Sequence, residues 1–383
     1  MNAPGAQRAF VFAGGGTGGH IFPALAIAEH IAALDPAAAL SFVCSTREID
    51  RSILSQERIA GQSASFTPLD ARPFGLSPRT LTRFVLNWGA SLRASRELLR
   101  RVKAGHARTM LVAMGGFVAA PMAQAARVEG VPIVLVNLDA VPGRANRWIA
   151  AKARSVVTSA PLATNARVGG GWTLVPPIVR AGAVCADSPG ACRVALGLSP
   201  DRPTLLVTGA SQGAGSINEF MIAFVGQRGD VMRSGGWQVI HQTGKAGEDA
   251  VRAAYEGAGI PARVAAFFRE MGMVWRAADV AVSRSGAGSV AEAWANAVPS
   301  LFLPYPFHKD DHQRHNASSL LRAGAAHVET DFVTPEKNLE RAGVTLESFL
   351  SRAELRESMK RGLATLGPAD GAARVAAALL HEN

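Results

Sequence analysis

The sequence predicts an α/β protein built from two doubly wound, Rossmann-like domains that face each other across a cleft. Strand-like apolar runs alternate with helical patterns along the whole chain, which is typical of parallel sheets covered by helices. The succession of strand, glycine-rich turn and helix that opens the chain returns near its middle. A length of 383 residues suits two domains that each bury most of their own apolar surface.

The elements follow in order. Predicted strands of the first half lie at 9–13, 40–44, 109–114, 133–136 and 155–158. After the pair Pro176–Pro177 the pattern restarts, with strands at 204–208, 238–241, 263–267, 280–283 and 300–304. We therefore expect a first domain at 1–176 and a second at 177–364, and a C-terminal helix at about 365–383 that packs back on the first domain.

The first glycine turn is the most informative segment. After the first strand the chain reads Gly14–Gly15–Gly16–Thr17–Gly18–Gly19–His20. Such a turn brings backbone N–H groups at a helix start close to a phosphate or sugar, and His20 is the side chain there that can move a proton near neutral pH. A dinucleotide site is the alternative, but the next strand ends in Ser45–Thr46 where that fold needs an acidic residue.

Two glycine turns follow strands of the second half. Gly209–Gly215 contains Ser211 and could hold a pyrophosphate, but it lacks the lysine of an ATP-binding P-loop. Ser283–Ser289 contains Arg284, which we expect to place a positive charge near a diphosphate. Glu292, in the helix that follows, is either a surface residue stabilised by the helix dipole or an acceptor for two ribose hydroxyls.

The segment Pro304–Asn316 is rich in polar side chains. His308, His312 and His315 have helical spacing, but Lys309 stands where a zinc-binding H-E-x-x-H motif needs glutamate, and there is no Asp-x-Asp pair. Hydrogen bonding to sugar hydroxyls therefore suits these residues better than metal ligation, and we predict no metal site.

The net charge of +10 predicts an anionic partner. Basic and apolar residues interleave over 72–103, as in an amphipathic helix that either lies against the core or binds anionic lipid. No nucleic-acid motif accompanies it. The uncharged stretch 109–126 is interpreted as strand, glycine turn and helix start, because Gly115–Gly116 and Pro121 do not suit a membrane span.

The three cysteines, Cys44, Cys185 and Cys192, stand in unrelated contexts without a zinc or redox spacing. No signal peptide precedes the first strand. These features predict a reducing, cytoplasmic environment.

Eight motifs, in this order, resemble those of the MurG family of UDP-N-acetylglucosamine transferases. They are Gly14–His20, Gly115–Phe117, Pro142–Asn146, Gly209–Ala214, His241–Lys245, Ser283–Gly286, Asp311–Gln313 and Asn316. The resemblance implies the GT-B fold, a UDP-N-acetylglucosamine site in the C-terminal lobe, and an N-terminal lobe that meets undecaprenyl-pyrophosphoryl-N-acetylmuramyl-pentapeptide (lipid I) at the cytoplasmic face of the cell membrane. It implies no required cofactor.

The family's site residues carry over by motif. The resemblance implies donor contacts from Ser211 and Gln212 to the diphosphate, from Glu292 to the ribose, from the Phe268 backbone to uracil, and from His312 and Gln313 to the sugar. The further donor residues are Thr17, Gly18, Arg180, Met271 and Arg284, and the implied acceptor residues are Gly15, Gly16, Gly19, Gly116, Phe117, Asn137 and Asn146.

The chain departs from the family at one segment. Where the family has His-Glu-Gln-Asn, this sequence reads Val136–Asn137–Leu138–Asp139, so a glutamate implicated in acceptor binding or catalysis is replaced by an amide that cannot accept a proton. Either Asp139 substitutes for it, or His20 is the only base, or the acceptor differs.

The mechanism that we expect is a direct, inverting displacement in which His20, with Asp139 as the other candidate, takes the proton of the acceptor hydroxyl. Three alternatives remain. They are a GT-B glycosyltransferase with another lipid or natural-product acceptor, a UDP-sugar epimerase, and a protein that binds UDP-sugar without turnover.

Overall fold

The computed structural model describes residues 8–15, 18–56, 58–59, 62–63, 65–73, 77–166, 168–209, 213–307 and 310–382. The chain forms two compact units. Unit 1 comprises Met1–Arg180 and Asp370–Asn383, and unit 2 comprises Ala181–Ala369. We predicted the change of domain after residue 176 and the return to the first domain at about 365; the structure has these changes after residues 180 and 369.

Unit 1 contains a parallel sheet of seven strands in the order β5-β2-β1-β6-β7-β8-β9 within the described residues. Phe10 and Phe12 of the first strand face one side of the sheet, where Phe12 stacks on Phe42, whereas Val11 and Ala13 join the core on the other side. The strands are β1 (Arg8–Gly14), β2 (Ala39–Ser45), β5 (Ser65–Leu69), β6 (Arg108–Gly115), β7 (Ile133–Asn137), β8 (Ser155–Thr158) and β9 (Trp172–Leu174), and β3 (Arg58–Ile59) and β4 (Gln62–Ser63) form a separate antiparallel pair.

Helices cover the sheet of unit 1. The longest, α3, begins after Ser77, whose hydroxyl accepts a hydrogen bond from the Thr80 N–H, with Pro78 in its first turn. The last helix, α15, packs against α1. The helices are α1 (Gly18–Leu34), α2 (Glu48–Gln56), α3 (Pro78–Gly105), α4 (Gly116–Glu129), α5 (Arg144–Ala150) and α15 (Gly371–His381).

Unit 2 contains a parallel sheet of six strands in the order β12-β11-β10-β13-β14-β15 in the described part of the chain. Leu205 and Val207 enter a core on one face of this sheet and Leu206 enters a core on the other. The strands are β10 (Thr204–Thr208), β11 (Gln238–Gln242), β12 (Ala262–Ala265), β13 (Val280–Ser283), β14 (Ser300–Phe302) and β15 (Ala326–Val328).

The helices of unit 2 follow a short 3₁₀ helix at Ala181–Ala183. They are α6 (Pro189–Ala195), α7 (Gly215–Ser234), α8 (Glu248–Gly257), α9 (Met271–Ala277), α10 (Ala287–Ala295), α11 (His312–Asn316), α12 (Ser318–Arg322), α13 (Pro335–Ser351) and α14 (Ala353–Thr365).

The predicted α/β class with two parallel sheets is confirmed. The stretch 109–126 forms most of β6 and the first part of α4, and none of the helices that the structure describes is both long and apolar enough to cross a membrane. We did not predict β5, β9 and β15, which are short and lie at sheet edges, where alternation of apolar residues is weak.

Candidate active site

The candidate catalytic residues of unit 1 lie where neighbouring parallel strands end. β1, β6, β7 and β8 are adjacent in the sheet, and their carboxyl ends carry Gly14, Gly115, Asn137 and Thr158. His20 lies in the first turn of α1, which follows β1. In open parallel sheets, ligands bind at this edge, near the point where strand order reverses.

His20 lies over the turn formed by Gly115 and Gly116. A Cβ at Gly115 would be 3.2 Å from His20 Nε2, and one at Gly116 would be 2.7 Å from the Gly15 carbonyl oxygen. Gly116 also has a φ of +76°, which disfavours any side chain. Both glycines are therefore required for the imidazole and the two loops to approach each other.

The imidazole of His20 is suited to accept a proton. Its Nδ1 atom is buried and has no hydrogen-bond partner within the described residues. Burial lowers the pKa of His20 below its ordinary value, while the negative charges of Asp139 and Asp50 act in the opposite direction. The ring is consequently neutral at neutral pH, the state that a general base requires.

Asn137 is a structural residue in this protein. It is fully buried, and its Nδ2 donates to the Asp139 carbonyl oxygen at 2.7 Å and to Thr158 Oγ1 at 3.0 Å, while its Oδ1 accepts from Asn146 Nδ2 at 2.9 Å. These three bonds hold the ends of β7 and β8 and the start of α5 together, and the predicted contact of Asn137 with the acceptor stays a prediction. Asn146, also buried, lies in the first turn of α5 and joins it to the same network.

Two carboxylates act on His20. Asp139 follows β7 and is half-buried. Asp50, in α2, is fully buried, and its Oδ2 accepts hydrogen bonds from Ser45 N at 3.1 Å and Ser45 Oγ at 2.5 Å. A Cβ at Gly15 would lie 2.7 Å from that oxygen, so the Asp50 carboxylate packs directly against the glycine turn.

The remaining residues predicted for unit 1 fall into two groups. Gly18 is the first residue of α1, Gly19 is exposed, and half-buried Phe117 lies at the start of α4 with the Arg47 guanidinium 5.2 Å from its ring centroid. Gly16 and Thr17 lie outside the described residues.

Arg180 is the last residue of the first stretch of unit 1. Its Nη2 donates to Glu29 Oε1 on α1 at 2.8 Å, and its guanidinium lies 5.9 Å from the Phe22 ring centroid. The predicted donor contact from Arg180 stays a prediction, and the structure adds this ion pair.

The glycine turn after β10 in unit 2 closes tightly against a neighbouring loop. Gly213 has a φ of +73°, and a Cβ on it would collide with the carbonyl oxygen of Thr243, which follows β11. Only glycine fits there. Ser211 and Gln212, predicted to meet the diphosphate, lie outside the described residues.

Arg284 is engaged with partners inside the protein. It is buried; its Nη1 donates to Asp331 Oδ2 at 2.6 Å and to the Leu303 carbonyl oxygen at 2.8 Å, and its Nη2 donates to Ser216 Oγ at 2.8 Å. A guanidinium committed to these partners ties β13 and β14 to α7. These pairings account for the burial of the Arg284 charge, since a buried charge is costly unless it is paired. The contact predicted between Arg284 and a diphosphate stays a prediction.

Asp331 is the partner that makes this burial possible. Burial opposes ionisation, but hydrogen bonds from Ser216, Asn338 and the Val333 N–H and the charge of Arg284 outweigh it and hold the pKa of Asp331 below its ordinary value. The adjacent Ser285 is fully buried, and its Oγ has no hydrogen-bond partner among the residues described.

Glu292 is not an ordinary surface residue. It is half-buried on α10, and its Oε2 accepts a hydrogen bond of 2.8 Å from Trp275 Nε1 of α9. Burial raises the pKa of Glu292 to about 7, although the Trp275 hydrogen bond favours the ionised form. This carboxyl group is oriented by a buried indole and titrates near neutral pH.

The segment before α9 carries the two residues predicted near uracil. Phe268 is buried, and its backbone N–H donates to Gln242 Oε1 at 2.9 Å. The backbone contact predicted between Phe268 and uracil stays a prediction, and the structure adds this hydrogen bond to Gln242. Met271 is half-buried at the first position of α9.

The residues predicted to read the sugar lie at the start of α11. His312 Nδ1 is 2.7 Å from Asp310 Oδ1, and Gln313 Oε1 accepts from the Tyr305 N–H at 2.8 Å. Buried Asn316 donates to the Ser285 carbonyl oxygen at 3.3 Å, which joins α11 to the turn after β13. His308 and Lys309 lie outside the described residues, and in the described chain His312 and His315 belong to no three-residue cluster of metal-ligand type.

We expected the three cysteines to lie in unrelated places, but two of them are close together. Cys185 and Cys192 of unit 2 have their sulfur atoms 3.7 Å apart, whereas Cys44 is buried in β2 of unit 1.

Sequence reasoning missed Asp50, Trp275, Gln242 and Asp331. Asp331 lies far along the chain from Arg284 and no motif marks it. Asp50 lies five residues after its partner Ser45, the last residue of β2. Because β2 is adjacent to β1, an acidic residue at that position could have been considered as a neighbour of the first glycine turn.

Comparisons with known proteins agree with this geometry. Residues 10–158 match the glycosyltransferase family 28 N-terminal domain and residues 204–375 match the family 28 C-terminal domain. A Nocardioides UDP-N-acetylglucosamine–N-acetylmuramyl-(pentapeptide) pyrophosphoryl-undecaprenol N-acetylglucosamine transferase is 31% identical over 97% of both chains. The Desulforudis audaxviator protein of the same name is 35% identical over 82% of this chain and 83% of its own.

Among solved structures, MurG of Acinetobacter baumannii superposes with a TM-score of 0.72 at 22% identity, over 98% of this chain and 99% of the other. The two α/β units thus have the fold of GT-B glycosyltransferases. The chain belongs to glycosyltransferase family 28.

The state of Glu292 predicts how nucleoside binding depends on pH. If the ionised carboxylate accepts two ribose hydroxyls, uridine binding favours ionisation, and affinity is expected to fall by up to about tenfold per pH unit below pH 7. Calorimetry with uridine, which has no phosphate to titrate, measures this between pH 5.5 and 8.5.

The Glu292→Gln variant is the control, and it should bind weakly and without pH dependence over this range. Wild-type binding that is independent of pH would show that Glu292 does not contact the ribose.

Proposed function

We propose that this chain transfers N-acetylglucosamine from UDP-N-acetylglucosamine to the 4-hydroxyl of the N-acetylmuramyl group of lipid I, forming lipid II for peptidoglycan. The names of its relatives support this reaction, since they share about a third of their residues with it over most of its length. The observation in the site that carries the proposal is the neutral His20 imidazole, buried at the glycine turns with Nδ1 unpartnered among the described residues.

The chemistry is a direct displacement at the anomeric carbon. The acceptor oxygen forms the new glycosidic bond as the bond to UDP breaks, and the α-linked donor becomes a β-linked product. His20 removes the hydroxyl proton during this step. Its neutral state at neutral pH and its position in the first turn of α1 suit that role.

Asp139 takes over the electrostatic role of the missing family glutamate. Asn137 has both amide hydrogens and its oxygen engaged in the protein, and its amide cannot accept a proton. The negative charge of Asp139 raises the basicity of His20 and stabilises the imidazolium that forms on proton transfer.

The negative charge that develops on UDP is met chiefly by backbone N–H groups, since Arg284 is already paired with Asp331. The turns after β10 and β13 open α7 and α10, whose free N–H groups and dipoles favour a diphosphate. The buried Ser285 hydroxyl can rotate to assist. This arrangement requires no metal in principle, and we expect transfer to proceed in the presence of EDTA.

Glu292 accepts the ribose hydroxyls, and His312 and Gln313 read the sugar. Asp310 holds the His312 ring in place through its contact with Nδ1. The Tyr305 N–H donates to Gln313 Oε1 and so orients the amide, whose two N–H groups can then donate to the sugar.

The first part of α3 is the surface that meets the membrane. Val85 and Leu86 are exposed, Leu86 to 76%, and Arg79 and Arg83 lie on the same stretch. The rest of the helix packs on the core through Leu99. The later part of α3 is therefore a core-packed helix, and its first part has the composition of a lipid-binding one. Exposed apolar residues beside arginines suit peripheral binding to anionic lipid at the cytoplasmic face.

Aromatic residues extend this surface to α5. Trp88 of α3 and Trp148 of α5 meet edge to face with ring centroids 6.5 Å apart, and Lys152 Nζ lies 3.8 Å from the Trp148 centroid. Indole rings beside cations are typical of the membrane–water interface. An open surface cavity of about 590 Å³ adjoins it, lined by Arg72, Arg83, Leu86, Asn87 and Ala90.

The proposed reaction is tested by transfer of labelled sugar from UDP-N-acetylglucosamine to a short-chain lipid I analogue with EDTA present. Wild type should form labelled disaccharide lipid. His20→Ala should lower turnover by about 10² or more while uridine binding is unchanged, because the variant loses the base and leaves unit 2 intact.

A reaction without acceptor is the control. Release of free altered sugar there would indicate an epimerase instead. Donor binding without transfer to lipid I would point to a different acceptor or to a protein that binds without turnover, and equal turnover by His20→Ala would exclude His20 as the base.

Asp139→Asn should move the acidic limb of the kcat/KM profile to lower pH. Removal of the negative charge removes a contribution that raises the His20 pKa, so the imidazole stays neutral to lower pH. Asp230→Asn, which removes an exposed carboxylate of unit 2, is the matched control. An unmoved limb together with a large loss of kcat at every pH would make Asp139 itself the base.

Leu86→Asp should weaken binding to vesicles that contain anionic phospholipid, and added salt should weaken binding of the wild type. Val344→Asp places the same charge at an exposed apolar position of α13 and should leave binding unchanged. Sedimentation with vesicles measures both, and equal binding by Leu86→Asp and wild type would exclude α3 as the contact surface.

A further inference from the structure

Three side chains of metal-ligand type meet at the start of unit 2. Cys185 and Asp187 lie between the 3₁₀ helix and α6, and Cys192 lies within α6. The two sulfur atoms are 3.7 Å apart, Cys185 Sγ is 3.7 Å from Asp187 Oδ2, and all three ligand atoms lie within 4.8 Å of one another.

The distances match a shared metal ion. Zn–S bonds of about 2.3 Å at a tetrahedral angle place two thiolates about 3.8 Å apart, and a Zn–O bond of about 2.0–2.2 Å places a carboxylate oxygen about 3.5–3.7 Å from either sulfur. A disulfide requires sulfur atoms at about 2.05 Å. The two separations of 3.7 Å, between the sulfur atoms and between Cys185 Sγ and Asp187 Oδ2, fit the first case, and the third pair of ligand atoms lies within 4.8 Å.

Access and charge also suit a cation. Cys192 is buried, Cys185 is half-buried and Asp187 is exposed, so the cluster opens to solvent on the side of the carboxylate. Two thiolates and one carboxylate would supply three negative ligands and leave a fourth position for water. Soft thiolate ligands select zinc and similar ions over magnesium or calcium.

We propose that Cys185, Asp187 and Cys192 form a binding site for a thiophilic divalent cation such as Zn²⁺. The site is structural and separate from sugar transfer, so this proposal does not rest on the function proposed above. The bound ion would hold the segment 185–188 against α6, which carries Cys192.

The segment that would hold the ion is also hydrogen-bonded to α9 and to the residue that follows α10. The Arg276 Nε of α9 donates to the Asp187 carbonyl oxygen at 2.9 Å, and Asn296 Nδ2, after α10, donates to the Ala183 carbonyl oxygen at 2.8 Å. Because α9 begins with Met271 and α10 carries Glu292, an ion here would stabilise the elements that hold the predicted nucleoside contacts.

Protons must leave when the ion binds. The metal ligand is the thiolate and not the thiol, so Cys185 and Cys192 lose their protons when zinc binds. Zinc binding should therefore release protons and tighten as the pH rises.

The test is titration of the full-length, reduced, metal-free protein with Co²⁺ and with Zn²⁺. One equivalent of Co²⁺ should give a thiolate charge-transfer band, Zn²⁺ should displace it, and Zn²⁺ should raise the Tm of unit 2. Cys185→Ser and Cys192→Ser should abolish the band. Asp187→Asn should weaken Zn²⁺ binding by about tenfold or more, since loss of outer partners alone costs about that much.

Cys44→Ser is the matched control, because it removes the third cysteine from unit 1 and should leave the band intact. Far-UV circular dichroism and cooperative thermal unfolding of each metal-free variant report that it is folded. Absence of the band in wild type, or its persistence in folded Cys192→Ser, would overturn the proposal. Loss of sugar transfer with the band retained would bear on the proposed function alone.

Discussion

The close approach of backbone to backbone at the ends of parallel strands is the constraint on which both candidate sites depend. In unit 1 the Gly15 carbonyl lies against Gly116, and in unit 2 the Thr243 carbonyl lies against Gly213. Side chains at these glycines would separate the loops by more than a hydrogen bond can span. The absence of Cβ atoms there lets His20 lie over the turn after β6 and lets the turn before α7 close against the loop after β11.

Buried polar networks hold those loops in place. Asn137, Asn146 and Thr158 join the strand ends of unit 1, and Arg284, Asp331 and Ser216 do the same in unit 2. Removing one member of such a network leaves its partners buried and unsatisfied, which costs several times what a surface hydrogen bond contributes. Polar residues in a site motif can thus serve the loop rather than the ligand.

The difference between residues that hold a loop and residues that face a ligand explains which features could be predicted from the sequence. Strand positions, the glycine turns and the amphipathic helix follow from local patterns, and the structure contains them. The direction of a side chain does not follow from its motif. Arg284 could face a phosphate or a carboxylate, and only the fold brings Asp331, from a distant part of the chain, to it. Likewise, the sequence predicted that Asn137 replaces a proton acceptor, but it did not predict the hydrogen bonds of Asn137 to Asp139 and Thr158.

The chain completes unit 1 only after it has made unit 2. Helix α15 packs on α1, and the Gly371 N–H donates to the Pro177 carbonyl oxygen at 3.1 Å, so the closing contacts join residues separated by the whole of unit 2. Contacts of such sequence separation form slowly during folding. On the ribosome, the surface of α1 that receives α15 therefore stays uncovered until unit 2 has been synthesised and residues 370–383 have emerged.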